Sequence, residues 1–167
     1  MKQLFFLRHG IAVLHGTPGY PNDDRPLTDE GIEKMAKAAK GIKRIVEQFD
    51  VILTSPMKRA FQTACLVARE MKCEGRVETA RELAPGCTRK GLMALLTKHK
   101  EHEVILLVGH DPDFSSLTSE LIGAADSAVV MKKGALCKIE LNDASAAEPG
   151  RLEWLLQPKT LRLLAKK

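Results

Sequence analysis

The chain opens with Lys2-Gln3-Leu4-Phe5-Phe6-Leu7-Arg8-His9-Gly10, in which a short apolar run leads directly into a cation, an imidazole and a glycine. The run predicts a buried strand, Leu4–Leu7, that delivers Arg8 and His9 to a turn. Ligands of open α/β sheets bind at the carboxyl ends of strands. An arginine there suits a phosphoryl group because its donors match phosphate oxygens, and a histidine can act as nucleophile or proton donor. Taken alone, however, the tripeptide is better explained as a surface Arg-His pair.

Length and composition indicate an ordinary soluble globular protein. The chain has 167 residues, 44% hydrophobic and 28% charged, and we expect a single domain, residues 1–167. No apolar stretch approaches the length of a membrane span, and the N-terminus lacks the features of a signal peptide. The four cysteines show no Cys-x-x-Cys pairing, which favours scattered reduced thiols over a zinc or redox motif. We therefore expect a cytoplasmic protein with no membrane partner.

The balance of charge narrows the range of partners. A formal net charge of +5 suits an anionic substrate, but it also suits nonspecific attraction to nucleic acid. Aromatic residues make up only 4% of the chain, which leaves little for stacking on bases. We therefore expect no specific nucleic-acid partner. The oligomeric state is left open, with a monomer favoured.

Strand and helix signals alternate along the chain, which predicts a three-layer α/β/α fold with a mostly parallel central sheet. Helices are predicted after the capping residues Thr28, Ser55 and Thr88, with Pro56 at the first position of the second helix. Ile32 and Phe61 are assigned to the buried faces of the first two helices. A fourth helix is predicted through Phe114, Leu117 and Leu121. The predicted strands are Leu4–Leu7, Val51–Leu53, Val77–Ala80, Val104–Val108, Ala135–Leu141 and Leu152–Leu156.

Three polar segments lie between or after these elements. Ile11–Leu27 is rich in Gly, Pro, Asn and Asp, and a structureless loop of that length in a compact domain is usually functional. Asn142–Gly150 is predicted to be a polar loop between the last two strands. The basic ending, Lys159–Lys167, is interpreted as a solvated tail.

Two further strand ends carry groups suited to phosphate chemistry. Arg59 is placed in the first turn of the second helix, where backbone amides and the helix dipole favour an anion. His110 follows the clearest buried strand. Arg59 could be a solvated helix residue, and His110 could cap the next helix. Because each group follows an apolar strand at the same topological position, we expect them to converge with Arg8 and His9.

Four motifs in this order resemble the histidine phosphatase superfamily, with its phosphoglycerate mutase-like fold. They are Leu7-Arg8-His9-Gly10, Arg25-Pro26-Leu27-Thr28-x-x-Gly31, Thr54-Ser55-Pro56-x-x-Arg59-Ala60-x-x-Thr63 and Val108-Gly109-His110. The compact length and the Arg-Pro-Leu-Thr segment resemble the SixA-type branch of phosphohistidine phosphatases. The resemblance implies a minimal version of the fold without a cap domain.

The resemblance also implies roles for the converging residues. His9 would attack phosphorus and become transiently phosphorylated, with its other ring nitrogen held by a backbone carbonyl. Arg8 and Arg59 would hold the equatorial oxygens, and a protonated His110 would add a further donor. No metal or other cofactor is expected, because these side chains supply the positive charge that a metal would bring.

Three other candidates remain, and two of them have two interpretations each. Glu82 follows the third strand and is either a proton donor, held protonated by burial, or a solvated loop residue. Arg25 either binds substrate in the pocket or braces its own loop through Asp23 or Asp24. His15, in the same loop, is interpreted as an exposed or rim residue.

His99 and His102 have the spacing of a metal-binding pair. With no third ligand evident nearby, they are interpreted as solvated residues that lead into the next strand.

The sequence therefore predicts a metal-independent phosphatase that acts through a phosphohistidine at His9. A short chain without a cap implies an open pocket, so the preferred substrate is a protein phosphohistidine, such as that of a histidine phosphotransfer domain. A small phosphoester is the alternative substrate within the family. A sugar-phosphate mutase is disfavoured because this chain has room only for short loops. A non-catalytic phosphoprotein-binding module is a minority interpretation, since both histidines and both arginines are present.

Overall fold

A computed structural model of the protein describes residues 1–126, 128–142 and 148–166. The strands are β1 (Lys2–Arg8), β2 (Val51–Thr54), β3 (Val77–Thr79), β4 (Val104–Gly109), β5 (Leu136–Leu141) and β6 (Arg151–Leu156). The helices are α1 (Asp29–Ile45), α2 (Lys58–Met71), α3 (Arg89–Lys98), α4 (Asp113–Leu121) and α5 (Pro158–Leu164). Short 3₁₀ turns occupy Pro21–Asp23, Glu74–Arg76 and Arg81–Leu83. The predicted strands are therefore confirmed, with bounds that differ by one or two residues.

All six strands form one sheet in the order β3-β2-β4-β1-β5-β6. The first four in this order are parallel, whereas β5 and β6 are antiparallel to their neighbours. In the parallel register Arg8 pairs with Gly109, and Thr54 pairs with Val108. The strand ends that precede His9, Ser55 and His110 therefore lie side by side at one edge.

Helices cover both faces of the sheet. Along β1, Phe5 and Leu7 pack against the layer of α1, α2 and α5, whereas Leu4 and Phe6 pack against α3 and α4. This alternation is what a strand buried on both faces requires. The predicted three-layer α/β/α fold with a mostly parallel sheet is confirmed. The described residues form no additional cap domain over the carboxyl ends of the strands.

The predicted start of the second helix is wrong. Helix α2 begins at Lys58, and Met57, with an extended backbone, occupies the capping position instead of Ser55. The reason is the Met57 backbone, whose ψ of 133° is not helical, so the first helical turn starts after it. The Ser55 hydroxyl accepts a hydrogen bond from the Met57 amide and contacts His110. Pro56 therefore precedes the helix rather than opening it.

The predicted burial of Ile32 and Phe61 is also wrong, since they are 38% and 41% exposed. The buried stripe of α1 runs through Gly31 and Met35, and that of α2 includes Ala60, so both larger residues face outward.

The interpretation of Lys159–Lys167 as a solvated tail is wrong for most of its length. These residues form most of α5, whose Leu161 is fully buried against α1. A Cβ atom on Gly41 of α1 would lie 1.9 Å from the Leu161 carbonyl oxygen, so a glycine is required at this crossing. Of the predicted polar loop Asn142–Gly150, residues 143–147 lie outside the described residues, as does Lys167.

Candidate active site

Three of the predicted site residues meet at the carboxyl ends of the central strands. His9 follows β1, His110 follows β4, and Arg59 lies in the first turn of α2. The ring centroids of the two histidines are 5.2 Å apart, and Arg59 Nε is 3.3 Å from His9 Nε2. Each of the three residues is at most 6% exposed. The edge of the sheet therefore carries a buried pocket of two imidazoles and a guanidinium.

His9 is held in one tautomer. Its Nδ1 lies 2.7 Å from the Gly10 carbonyl oxygen, and because a carbonyl can only accept, Nδ1 carries the ring proton. Nε2 is left with a lone pair, which accepts a hydrogen bond from Arg59 Nε. Burial, helped by the positive charges of Arg59 and Arg8 and by His110, lowers the pKa of His9 to about 3. The ring is therefore neutral at neutral pH, which is the state a nucleophile needs.

His110 is fixed by the neighbouring strand end. Its Nε2 lies 2.8 Å from Ser55 Oγ, and its Nδ1 is buried with no hydrogen-bond partner among the described residues. Gly109 precedes it because a Cβ there would lie 2.5 Å from the Phe114 ring. Burial, together with the charge of Arg59, lowers the pKa of His110 to about 4. A phosphoryl dianion beside the ring would act in the opposite direction and favour the protonated form.

These pKa values give a direct prediction for titration. An ordinary histidine titrates near pH 6.5, whereas His9 and His110 should stay neutral as the pH falls from 8 to 5 and gain protons only near pH 3 and 4. Carbon-detected NMR of imidazole-labelled protein in phosphate-free buffer measures this, with the signals assigned through His9→Asn and His110→Asn. A midpoint near 6.5 for either ring would contradict the buried, cation-flanked environment described above.

Arg59 links the nucleophile to the long loop. Besides the contact of Nε with His9, one terminal nitrogen donates to the Asp23 carbonyl oxygen at 2.8 Å and the other lies 3.4 Å from Asp23 Oδ2. The Arg59 carbonyl accepts from the Thr63 hydroxyl, which in turn accepts from the Gly10 amide at 3.1 Å. Helix α2 therefore orients both the arginine and the turn that follows His9.

Arg8 lies beside this group rather than in contact with His9. Its Nη1 donates to the Met131 carbonyl oxygen at 2.7 Å and lies 3.5 Å from Asp111 Oδ2. Its Nε is buried and has no hydrogen-bond partner among the described residues. Arg8 nevertheless lies close enough to contribute to the low pKa of His9.

The structure places Arg25 in its loop, in the bracing arrangement. Its guanidinium donates to both oxygens of Asp23 and to the Val13 carbonyl oxygen. Asp23 also accepts from His15 Nδ1 at 2.9 Å, and His15 is exposed, as expected for a rim residue. Asp23 is the residue whose proximity to Arg59 the sequence analysis missed. The only signal was an acidic pair, Asp23 and Asp24, directly before Arg25.

The carboxylate of Glu82 is hydrogen-bonded to Lys98 rather than to a residue of the histidine–arginine pocket. Glu82 follows β3 in a 3₁₀ turn, and its carboxylate accepts from Lys98 Nζ at 2.6 Å. That hydrogen bond lowers the pKa of Glu82 below its usual range. An environment that holds a carboxyl group protonated would do the opposite.

His99 and His102 lie at the amino end of β4, away from the pocket. Their rings stack with centroids 5.8 Å apart, and the ligand atoms of His99, Glu101 and His102 lie within 4.8 Å of one another. The side chain of His99 is only 15% exposed, so its interpretation as solvated is wrong. Lys2 Nζ already donates to three backbone carbonyls of this turn, those of His99, Lys100 and His102.

The long loop also forms a cavity beside the pocket. The cavity has a volume of about 540 Å³ and is lined by residues 15–21 together with Asp23 and Arg25. The predicted structureless loop Ile11–Leu27 is in fact closed at its base by a bridge between Ala12 and Leu27.

In the described residues, no helix is both long and apolar enough to cross a membrane.

The arrangement is suited to attack on phosphorus. A neutral imidazole presents its Nε2 lone pair beside a buried guanidinium, with a second imidazole 5.2 Å away between ring centroids. Phosphoryl transfer is promoted mainly by positioning and by donors aimed at the developing charge. The pocket supplies both from side chains at three neighbouring strand ends.

Known proteins are similar to this chain in sequence and in fold. The family model described as "Histidine phosphatase superfamily (branch 1)" matches residues 4–88, just over half of the chain. An uncharacterized protein of Picosynechococcus sp. is 36% identical over 115 residues, which cover 66% of this chain and 67% of that protein. Phosphohistidine phosphatase SixA of Escherichia coli K12 is 26% identical over 164 residues, 96% of this chain and 97% of SixA. The solved structure of the protein histidine phosphatase SixA complexed with tungstate matches with a TM-score of 0.81 at 27% identity, covering 95% of this chain and 99% of that one.

The match to the family model contains the strand that ends in Arg8 and His9, as well as Arg59, while the whole-chain matches extend through His110 and the two antiparallel strands. The chain belongs to the histidine phosphatase superfamily, in its SixA-type branch.

Proposed function

We propose that this protein is a phosphatase that forms a covalent phosphohistidine on His9 and acts on protein phosphohistidine. The observation that carries the proposal is the state of His9. Its Nδ1 proton is held by the Gly10 carbonyl, and its neutral Nε2 faces the buried pocket next to Arg59. The similarity to SixA, which is named a phosphohistidine phosphatase, supports the same substrate class.

The reaction takes place in two displacements. In the first, the Nε2 lone pair of His9 forms a bond to phosphorus while the bond to the leaving group breaks, and the leaving group keeps that electron pair. In the second, water attacks phosphorus, the N–P bond breaks and its electron pair returns to Nε2, while the protons of the water leave with the released phosphate. Arg59, Arg8 and His110 offset charge on the phosphoryl oxygens in both steps.

The setting of Glu82 favours phosphohistidine over an alkyl phosphoester. Release of an alkoxide needs a proton donor, and the Glu82 carboxyl is ionised and paired with Lys98. An imidazole leaves with less help than an alkoxide. Arg59, Arg8 and His110 bind only the phosphoryl group in this scheme. A phosphorylated histidine phosphotransfer domain is accordingly the proposed partner.

The cavity beside the pocket favours a second candidate. At about 540 Å³, it has room for the body of a small phosphomonoester next to Arg25 and next to Asp23, which contacts Arg59. The two candidates make different kinetic predictions, because only the first depends on recognition of a protein surface.

Competition kinetics distinguish the two substrates. We expect kcat/KM for a phosphorylated histidine phosphotransfer domain to exceed that for p-nitrophenyl phosphate and for small sugar and serine phosphates by at least about tenfold. Loss of phosphate from the domain is followed by 31P NMR, and a parallel sample with His9→Ala corrects for spontaneous hydrolysis. A higher kcat/KM for a small phosphoester would favour the second candidate. Binding without turnover of any of them would favour a non-catalytic binding module.

A further inference from the structure

The Asp23 carboxylate lies among the cations of the candidate active site. Its oxygens accept from Arg25 and His15, and Oδ2 lies 3.4 Å from an Arg59 terminal nitrogen. The hydrogen bonds from Arg25 and His15, with a smaller effect of the Arg59 charge, hold the pKa of Asp23 well below its usual range. Asp23 is therefore ionised at neutral pH.

Three of the five N–H groups of Arg59 have partners in this arrangement. Each of its three guanidinium nitrogens has a partner: His9 Nε2 for Nε, the Asp23 carbonyl oxygen for one terminal nitrogen and the Asp23 carboxylate for the other. The residue is only 4% exposed, so its guanidinium has little freedom to turn toward a new partner. A phosphoryl group that binds between Arg59 and His9, on the edge of Arg59 formed by Nε and Nη2, therefore competes with the Asp23 carboxylate.

We propose that Asp23 is a specificity-determining residue, whose carboxylate occupies the anion-binding side of Arg59 until a phosphoryl dianion displaces it. This inference deepens the function proposed above and rests on it for the role of the pocket. A phosphoryl dianion carries two charges and three terminal oxygens, so it can bond Arg59, Arg8 and His110 at once. A carboxylate or another monoanion carries less charge, binds these groups more weakly and does not displace Asp23.

The backbone of the loop is consistent with such an exchange. Asn22 and Asp23 both have left-handed conformations, with φ of 55° and 57°. Asn and Asp tolerate this region better than other residues with a side chain, but it still costs free energy. The turn Pro21–Asp23 contains no buried residue and borders the 540 Å³ cavity. Asp23 can therefore leave Arg59 without unpacking the core.

The test is the affinity for inorganic phosphate of Asp23→Asn, measured by isothermal titration calorimetry at pH 8. Asparagine keeps the shape of the side chain and tolerates the left-handed backbone, but it removes the competing charge. If Asp23 occupies the site in about nine molecules of ten, its removal should tighten phosphate binding about tenfold. Asp23→Gly, which also suits a positive φ, is the second variant and should show the same gain.

The matched control is Asp24→Asn. It makes the same change of charge one residue away, where Asp24 accepts from the Lys58 amide, and an asparagine oxygen can still accept that hydrogen bond. We expect phosphate affinity within about twofold of the unmodified protein. An equal gain of phosphate affinity in the control would show that the effect comes from net charge alone, which would overturn the inference.

Other outcomes would also overturn it. If Asp23 only braces the loop, both Asp23 variants should bind phosphate more weakly or unchanged. If none of the variants bound phosphate, the inference would also be overturned. Because binding is measured without turnover, an inactive protein would refute the proposed function and leave this measurement intact.

Discussion

His9→Ala is expected to abolish phosphatase activity, with kcat/KM reduced at least about 10⁴-fold for any substrate that the protein hydrolyses. Alanine removes the Nε2 lone pair that faces Arg59, and the described residues place no other neutral nucleophile in contact with that guanidinium. The variant should also fail to form a phosphoenzyme. Rapid quenching into alkali with 32P-labelled substrate measures this, because phosphohistidine survives alkali and is lost in acid.

His102→Ala is the matched control for this experiment. His102 is an imidazole at the amino end of β4, remote from the pocket, and its side chain is 29% exposed. Its removal should leave kcat/KM within about twofold. Residual phosphoenzyme in a clean preparation of His9→Ala would place the nucleophile elsewhere. Full activity of that variant with no phosphoenzyme would remove the covalent mechanism altogether.

The sequence predicted the location of the site because the relevant signals are local. Each apolar strand is short, buried on both faces and followed at once by a polar group. Once three such strands, β2, β4 and β1, are parallel and adjacent, their carboxyl ends must share an edge. Arg8, His9 and His110 therefore needed only correct strand bounds, and bounds within two residues were sufficient.

The features that were missed depend on contacts between distant parts of the chain. Ser55 is predicted to be a helix cap, but its hydroxyl contacts the ring of His110, 55 residues away. Leu161 lies in a basic segment, yet that segment is a helix packed closely on Gly41 of α1. Asp23 reaches Arg59 across 36 residues. None of these pairs has a periodic signal, so a single sequence does not contain them.

Glu82 illustrates a different limit. Its position after the third strand suits an acid, but whether a carboxyl group keeps its proton depends on its neighbours. Lys98, 16 residues along the chain, determines the outcome by donating to the carboxylate. The pKa direction is therefore a property of the packing of α3 against the turn, which sequence order alone does not specify.

Arg59→Lys is expected to reduce kcat/KM by about 10²–10³-fold, although the charge is kept. A guanidinium offers several donors in a fixed plane, and here it uses three nitrogens: one toward His9 and two toward Asp23. An ammonium group on a flexible stem cannot orient Nε2 of His9 and grip phosphoryl oxygens at the same time. The loss should appear in kcat as well as in KM, because the donors act on charge that develops in transfer. Arg59→Ala should lose more, since it also removes the charge.

Arg69→Lys is the matched control for Arg59→Lys, because both positions lie on α2 and only the first faces the pocket. Arg69 lies in the last turn of the helix and is exposed. Its replacement should leave kcat/KM within about twofold and the urea midpoint unchanged. If Arg59→Lys were as active as Arg69→Lys, while both retained the fold by circular dichroism, the planar fork of Arg59 would have no part in transfer. A loss confined to KM would instead assign Arg59 to binding in the ground state, and His9 would then rely on Arg8 and His110 during the reaction.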